Sequence, residues 1–131
     1  MKFNFGVASN YFMEISKIRA SRLLWAKIVE AYGVKDEKDC DMYIHSVTCD
    51  WNKTAYDPYV NVLRSTTEAM SAILGGTDSL TVNPFDKSFE DSDEFSERIA
   101  RNTQIILKDE AYFNQAVDPS AGSYYIESLT N

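Results

Sequence analysis

The stretch from 57 to 85 constrains the fold most, because it reads as one helix followed directly by one short strand. Within the helix, mostly apolar residues recur at a spacing of three or four, which is the period of an α-helix. The recurring positions are Tyr59, Leu63, Thr67, Met70 and Leu74, and the stripe is widened by Val62, Ala69 and Ile73. This pattern predicts a helix that is covered over most of its surface.

Residues that are typical of a helix start and of a helix end lie on either side of this helix. Asp57 is a good N-cap, and Pro58 suits the first turn, where its missing N–H is not needed. Gly75 can take the left-handed conformation that ends a helix. The short run Leu80-Thr81-Val82 then predicts a buried strand, which Pro84 stops. A helix that leads into a buried strand is the repeating unit of a parallel α/β sheet.

The rest of the chain repeats this alternation of helix and strand. Alternating or β-branched runs predict strands, and apolar residues at helical spacing predict helices. Asp91 with Glu94 resembles a capping box for the third helix. The predicted strands are 3–7, 42–49, 80–82 and 113–117; the predicted helices are 10–32, 57–75, 95–110 and one that begins near 124; the loops include 34–41, 50–56 and the turn 118–122.

This order predicts an α/β fold, as a partial (β/α)8 TIM barrel that holds about half of the barrel. Each strand–helix step takes on the order of thirty residues, which is the pace of such a barrel. An open doubly wound sheet is the alternative, but neither nucleotide-binding glycine motif of that class is present. We expect residues 1–131 to form one fragment of a barrel domain, with Gly75 and Gly76 as a helix stop.

Charge and composition exclude several classes of function. The net charge is −7, which disfavours nucleic acid and anionic membranes as partners. No apolar run is long enough to cross a bilayer, and residues 1–7 lack the zones of a signal peptide, so we expect a cytoplasmic protein. Cys40 and Cys49 would sit at opposite ends of one predicted strand, too far apart for a disulfide. We expect two reduced thiols and no metal site.

Several strings in the chain resemble the methylmalonyl-CoA mutase family of adenosylcobalamin-dependent acyl-CoA mutases. Two of them are specific: Arg-Ile-Ala-Arg-Asn-Thr-Gln at 98–104 and Asp-Pro-Ser-Ala-Gly-Ser-Tyr-Tyr at 118–125. Shorter matches extend the resemblance over almost the whole chain: Asn10 to Ile15, Leu24 to Ala26, Asp57 to Tyr59, Glu68 to Met70 and Gly75 to Thr77.

The resemblance implies a (β/α)8 barrel that acyl-CoA threads and that a corrinoid caps at one end. In the family a separate domain binds cobalamin through an Asp-x-His-x-x-Gly motif, which this chain lacks. It therefore implies a fragment of a larger subunit, with no cobalamin-binding domain in this chain. It also implies an enzyme that interconverts methylmalonyl-CoA and succinyl-CoA.

Two departures from the family pattern bear on catalysis. Catalytic members read His-x-Gln-Thr on one strand, where this chain has Val47 two places after His45. Catalytic members have a Glu that contacts the adenosyl ribose, where this chain has Lys87. Neither replacement can accept the hydrogen bonds of the side chain it replaces. Asp78 also adds a negative charge where the family has a neutral amide against acyl-CoA.

These departures predict a structural subunit that is inactive alone. His45 and Ser79 are expected to be vestigial substrate-binding residues, with no catalytic residue and no cofactor bound by this chain. Adenosylcobalamin and acyl-CoA belong to the parent enzyme, in which the partner is a large catalytic subunit. The alternative is a barrel fragment of an active mutase. A partial barrel leaves unpaired strand edges, so we expect the fragment to self-associate.

Overall fold

The computed structural model describes residues 1–34 and 36–131 of the chain. Strands and helices alternate from residue 2 to residue 81, and two helices follow without a strand between them. The elements are β1 (Lys2–Val7), α1 (Tyr11–Ala31), a short 3₁₀ turn (Glu37–Cys40), β2 (Tyr43–Thr48), α2 (Val60–Leu74), β3 (Ser79–Thr81), α3 (Glu94–Asp109) and α4 (Tyr124–Thr130).

The three strands form one parallel sheet in the order β1-β2-β3. Register pairs Phe3 with Ile44, and Ser46 with Leu80. The sheet is open within the described residues, so the α/β class with parallel strands is confirmed. The finer prediction, about half of a barrel, stays a prediction, because three strands are shown and neither outer edge is paired in this part of the chain.

The predicted strand at 113–117 is wrong, because this segment is a turn. Tyr112 has a φ of 55°, in the left-handed region, which breaks the extended path. The Phe113 N–H then donates to the Leu107 carbonyl at 3.1 Å, and the Phe113 ring packs on the cluster that contains Leu107. The chain therefore folds back on the end of α3 instead of adding a strand to the sheet.

Two apolar clusters hold the helices on the sheet. The first joins α1 and α2 to the strands and contains Val7, Ile18, Met42, Ile44 and Ala72. The second joins α2 and α3 to the segment after β3 and contains Ala69, Val82, Ala100 and Leu107. Because both clusters include α2, this helix lies at the centre of the packing.

The face that α2 buries differs from the predicted apolar stripe. Tyr59 and Leu63 are 65% and 66% exposed. The buried residues of the helix are small or polar instead: Asn61, Ser65, Glu68, Ala69, Ser71 and Ala72. Small side chains let the helix approach the sheet closely, and Asn61 and Glu68 satisfy backbone groups of the neighbouring loops. Tyr59 and Leu63 are left on the outside, while Met70 and Ile73 are partly buried against the second cluster.

The predicted ends of α2 are also corrected. Tyr59 is the N-cap, with no side-chain hydrogen bond, while Asp57 lies before it at a φ of 55°. Gly75 keeps a helical φ of −74°, and the left-handed residue is Gly76, at 84°. Gly75 is needed for a different reason, because a Cβ there would lie 3.0 Å from the Cβ of Ile18.

The start of α3 carries a capping box two residues later than predicted. Asp93, not Asp91, accepts from the Ser96 N–H at 2.8 Å, and the Ser96 hydroxyl lies 3.1 Å from the Asp93 N–H. The Ser96 N–H holds the pKa of Asp93 below its usual value. A Ser can close the box here because its short side chain reaches back to the cap.

Helix α4, expected from the sequence, docks on α1. Arg19 donates to Glu127 at 2.9 Å, and the rings of Phe12 and Tyr125 meet edge to face with centroids 5.4 Å apart. The Gly122 N–H, and after it Arg19, hold the pKa of Glu127 below its usual value. Among the described residues, no helix has the length and apolar character needed to cross a membrane.

We expect Gly75→Ala to destabilise the fold by about 1–3 kcal/mol, the usual cost of overpacking a filled core. Ile18 is fully buried and its Cβ cannot rotate away, and the Ser71 carbonyl lies 3.2 Å from the same added atom. Urea unfolding measures the change.

Gly6→Ala is the matched control, since a Cβ there meets nothing within 4 Å. Its unfolding midpoint should stay the same or rise slightly. Equal midpoints for the wild type and Gly75→Ala would show that the contact between α1 and α2 does not require glycine.

Candidate functional site

One face of the sheet carries the helices, and the opposite face carries a set of polar and small residues. Strand alternation separates them: Ile44, Ser46 and Thr48 are buried on the helix side, while His45 and Val47 point the other way. We call this opposite side the open face. Its residues stand in three rows across the strands: Lys2–Tyr43, Asn4–His45–Ser79 and Gly6–Val47–Thr81.

His45 lies at the centre of the open face, and both ring nitrogens have partners on β3. Nδ1 lies 2.7 Å from the Ser79 hydroxyl, and Nε2 lies 3.2 Å from the Thr81 hydroxyl. The structure therefore brings together the two residues, His45 and Ser79, that the sequence predicted to be vestigial substrate-binding residues. Whether they meet a substrate stays a prediction.

Val47 is half-buried on the same face, opposite Gly6 and Thr81 in the register. Its isopropyl group offers no hydrogen bond, and Gly6 offers no side chain. This row is therefore less polar than the row that contains His45. The two rows are neighbours, so a row of three hydrogen-bonding side chains (Asn4, His45 and Ser79) lies beside a row in which only Thr81 is polar.

A second group of polar residues collects where the strands end at their carboxyl termini. Asn83 follows β3 and donates to the Thr48 carbonyl at 2.8 Å and to the Asp50 carboxylate at 3.1 Å. Lys87 donates to the Asn83 side-chain oxygen at 3.0 Å, with the Asp50 carboxylate 3.9 Å away. Lys87 therefore lies at the edge of the sheet that carries ligands in parallel α/β folds.

The loop after β2 is fixed by a buried ion pair that the sequence analysis missed. Lys53 and Glu68 are 2.8 Å apart, with side chains 1% and 0% exposed. The same carboxylate accepts from the Asn52 side chain at 2.6 Å and from the Cys49 N–H at 3.2 Å. One carboxylate thus ties the end of β2 and the following loop to α2.

A buried amide holds the second half of the same loop. Asn61 accepts from the Thr54 N–H at 3.1 Å and donates to the Thr54 carbonyl and to the Phe85 carbonyl, both at 2.9 Å. It therefore links the loop after β2 to the segment after β3. Trp51, on the fixed loop, is 94% exposed.

The opposite edge of the sheet, at the amino ends of β2 and β3, is closed by an arginine. Arg22 donates to the Met42 and Gly76 carbonyls at 2.6 Å and to Asp78 at 2.7 Å. The Asp78 carboxylate also accepts from the Ile44 N–H at 2.7 Å. The charge of Asp78, expected to change a contact with acyl-CoA, is thus balanced by Arg22 in this structure.

The sequence does contain a signal for the buried polar residues of α2 that hold the loop after β2. Asn61, Ser65, Glu68 and Ala72 recur at intervals of four, three and four, which is also helical spacing. In this helix Asn61 and Glu68 bind the neighbouring loops, and Ala72 packs in the first apolar cluster. No comparable signal pointed to Thr81, whose meeting with His45 depends on the strand register.

Metal chemistry finds no support in the side chains of residues 1–34 and 36–131. No group of three His, Cys, Asp or Glu side chains there could hold an ion. Cys40 and Cys49, expected as reduced thiols, are both free.

Comparison with known proteins identifies the class to which this fold and site belong. The family model for methylmalonyl-CoA mutase matches residues 1–131, so the chain belongs to the methylmalonyl-CoA mutase family. It is 57% identical to the methylmalonyl-CoA mutase small subunit of Porphyromonas gingivalis, over all of this chain and 21% of that protein.

Other relatives are similar over the same residues. Identity is 48% to the methylmalonyl-CoA mutase large subunit of Porphyromonas gingivalis and 47% to the methylmalonyl-CoA mutase of Escherichia coli. Each match covers all of this chain and 18% of the relative. The chain thus spans about a fifth of the length of the curated relatives it matches.

Proposed function

We propose that this chain is part of the small, non-catalytic subunit of a methylmalonyl-CoA mutase, a structural partner for a large catalytic subunit. One observation carries the proposal: identity is 57% to the small subunit of Porphyromonas gingivalis and 48% to the large subunit of the same organism. Both comparisons cover the whole chain, so they measure the same residues. The parent enzyme would interconvert methylmalonyl-CoA and succinyl-CoA.

The proposed place of residues 1–131 in that subunit is its (β/α)8 barrel domain, with the cobalamin-binding domain outside this stretch. Sequential parallel strands with helices on one face are the expected layout of a barrel segment. On this proposal the open face lines the inside of the barrel, and further strands pair with the outer edges of β1 and β3.

The residues at the carboxyl ends of the strands do not fit a corrinoid with its adenosyl group. Val47 offers no hydrogen bond, and the Lys87 ammonium already donates to Asn83. The ribose hydroxyls would meet a donor where the resemblance implies an acceptor. On this proposal adenosylcobalamin is bound in the parent enzyme by the large subunit, and this chain binds none.

A titration with adenosylcobalamin tests the proposal. We expect the full-length polypeptide that carries this chain to show no saturable change in the corrinoid spectrum, at concentrations that saturate the purified large subunit measured beside it. The physical reason is the loss of two polar contacts, each worth about 1–3 kcal/mol when buried. Tight, saturable binding by the polypeptide alone would contradict the structural role.

The second candidate is a barrel fragment of a catalytically active mutase. It is favoured by the 47% identity to the Escherichia coli enzyme and by His45, which lies on the open face. It requires Val47 and Lys87 to be tolerated beside the cofactor. Saturable corrinoid binding in the same titration would support this candidate.

The exposed edges and apolar side chains give the prediction for residues 1–131 made alone. Along α1, Phe12, Leu24 and Ile28 are 49%, 57% and 50% exposed, and the outer edges of β1 and β3 lack a neighbouring strand in the described sheet. Unpaired edges and apolar patches drive association. We expect light scattering to give a mass above one chain that rises with concentration; the mass of a single chain at high concentration would refute this.

A further inference from the structure

The environment of His45 contains an arrangement that the family assignment does not require. An imidazole has two nitrogens, and a histidine that acts on a ligand needs at least one of them free to face it. Here Nδ1 is held by Ser79 at 2.7 Å and Nε2 by Thr81 at 3.2 Å. Both partners come from the same strand, β3.

We propose that Thr81 is a specificity-determining residue that closes the open face to ligands of His45. The Ser79 hydroxyl fixes the plane of the ring from the neighbouring position in the register. The Thr81 hydroxyl then forms a hydrogen bond with Nε2, at the more exposed side of the ring. A polar group that approaches His45 must displace one hydroxyl before it can bind.

The strand geometry explains why Thr81 can do this. Residues two apart on a strand share a face, so Ser79 and Thr81 both project onto the side that carries His45. Thr81 is itself exposed, and its contact with Nε2 is exposed, whereas the contact of Ser79 with Nδ1 is partly buried. Val47, its partner in the register, offers no competing hydrogen bond. The Thr81 hydroxyl is thus the hydrogen-bond partner of Nε2 among the described residues.

This inference rests on the proposed non-catalytic role, since a closed His45 is of use only where no substrate is to be turned over. It names the groups that exclude a ligand: two hydroxyls that satisfy the imidazole inside the protein. The two ideas fail separately. Corrinoid binding decides the role of the subunit, whereas the state of the His45 nitrogens decides the closure.

Modification of His45 by diethyl pyrocarbonate, followed by mass spectrometry of its peptide, tests the closure in the full-length polypeptide. Thr81→Val keeps the shape and removes the hydroxyl, so His45 should react about fivefold faster, the factor for one net hydrogen bond. Thr81→Ser keeps a hydroxyl and should react at nearly the wild-type rate. An unchanged rate in Thr81→Val overturns the proposal.

Nitrogen-15 spectra of labelled histidine separate this role from a general loosening of the strand. Thr81→Val should change the nitrogen-15 shifts of His45, because losing the partner of Nε2 alters the balance between the two imidazole tautomers, whereas Thr81→Ser should leave the shifts close to those of the wild type. Shifts that stay the same in Thr81→Val, or that change as much in Thr81→Ser, would refute a specific closure. If Thr81→Val does not fold, the wild type still decides, because a His45 that reacts as fast as an unstructured peptide of the same local sequence is not closed.

Discussion

The carboxylate of Glu68 is the interaction on which the rest of this structure depends most. It is fully buried near the middle of α2, and it binds the Lys53 ammonium, the Asn52 amide and the Cys49 N–H. A buried carboxylate without these partners would be strongly destabilising. Its three contacts therefore join the end of β2, the following loop and the central helix into one unit.

The layout of the open face follows from these contacts of Glu68. With β2 and its loop fixed to α2, the alternation of the strand leaves Ile44, Ser46 and Thr48 under the helices and turns His45 and Val47 outward. The parallel register then sets Ser79 and Thr81 beside His45. The site is thus a consequence of backbone pairing, and its hydrogen bonds are internal to the protein.

How far the sequence predicts this structure depends on which residues are considered. The helices α1 and α3 and the strand β2 follow from periodicity and β-branched runs, because these signals lie within a single element. The buried face of α2 could not be found in this way, since Leu63 and Tyr59 fit an apolar stripe and the true face is held by Asn61 and Glu68 through loops distant in sequence. The prediction of a strand at 113–117 is wrong for a similar reason. Phe113 packs on α3, and the local sequence does not encode this contact. His45, Val47 and Ser79 are predicted from the family strings alone, since Ser79 lies outside the predicted strand 80–82. Their placement on one face beside Thr81 depends on the strand register.

A double-mutant cycle on Lys53 and Glu68 tests the central claim, that this ion pair anchors the carboxyl edge of the sheet. Lys53→Met and Glu68→Leu should each cost about 3–5 kcal/mol in the free energy of unfolding, because each leaves one buried charge unpaired. The double variant should cost about 2–3 kcal/mol less than the sum of the two single variants, which is the coupling between the two charges. Costs that simply add, with no coupling, would show that the two charges do not support one another and would contradict the account.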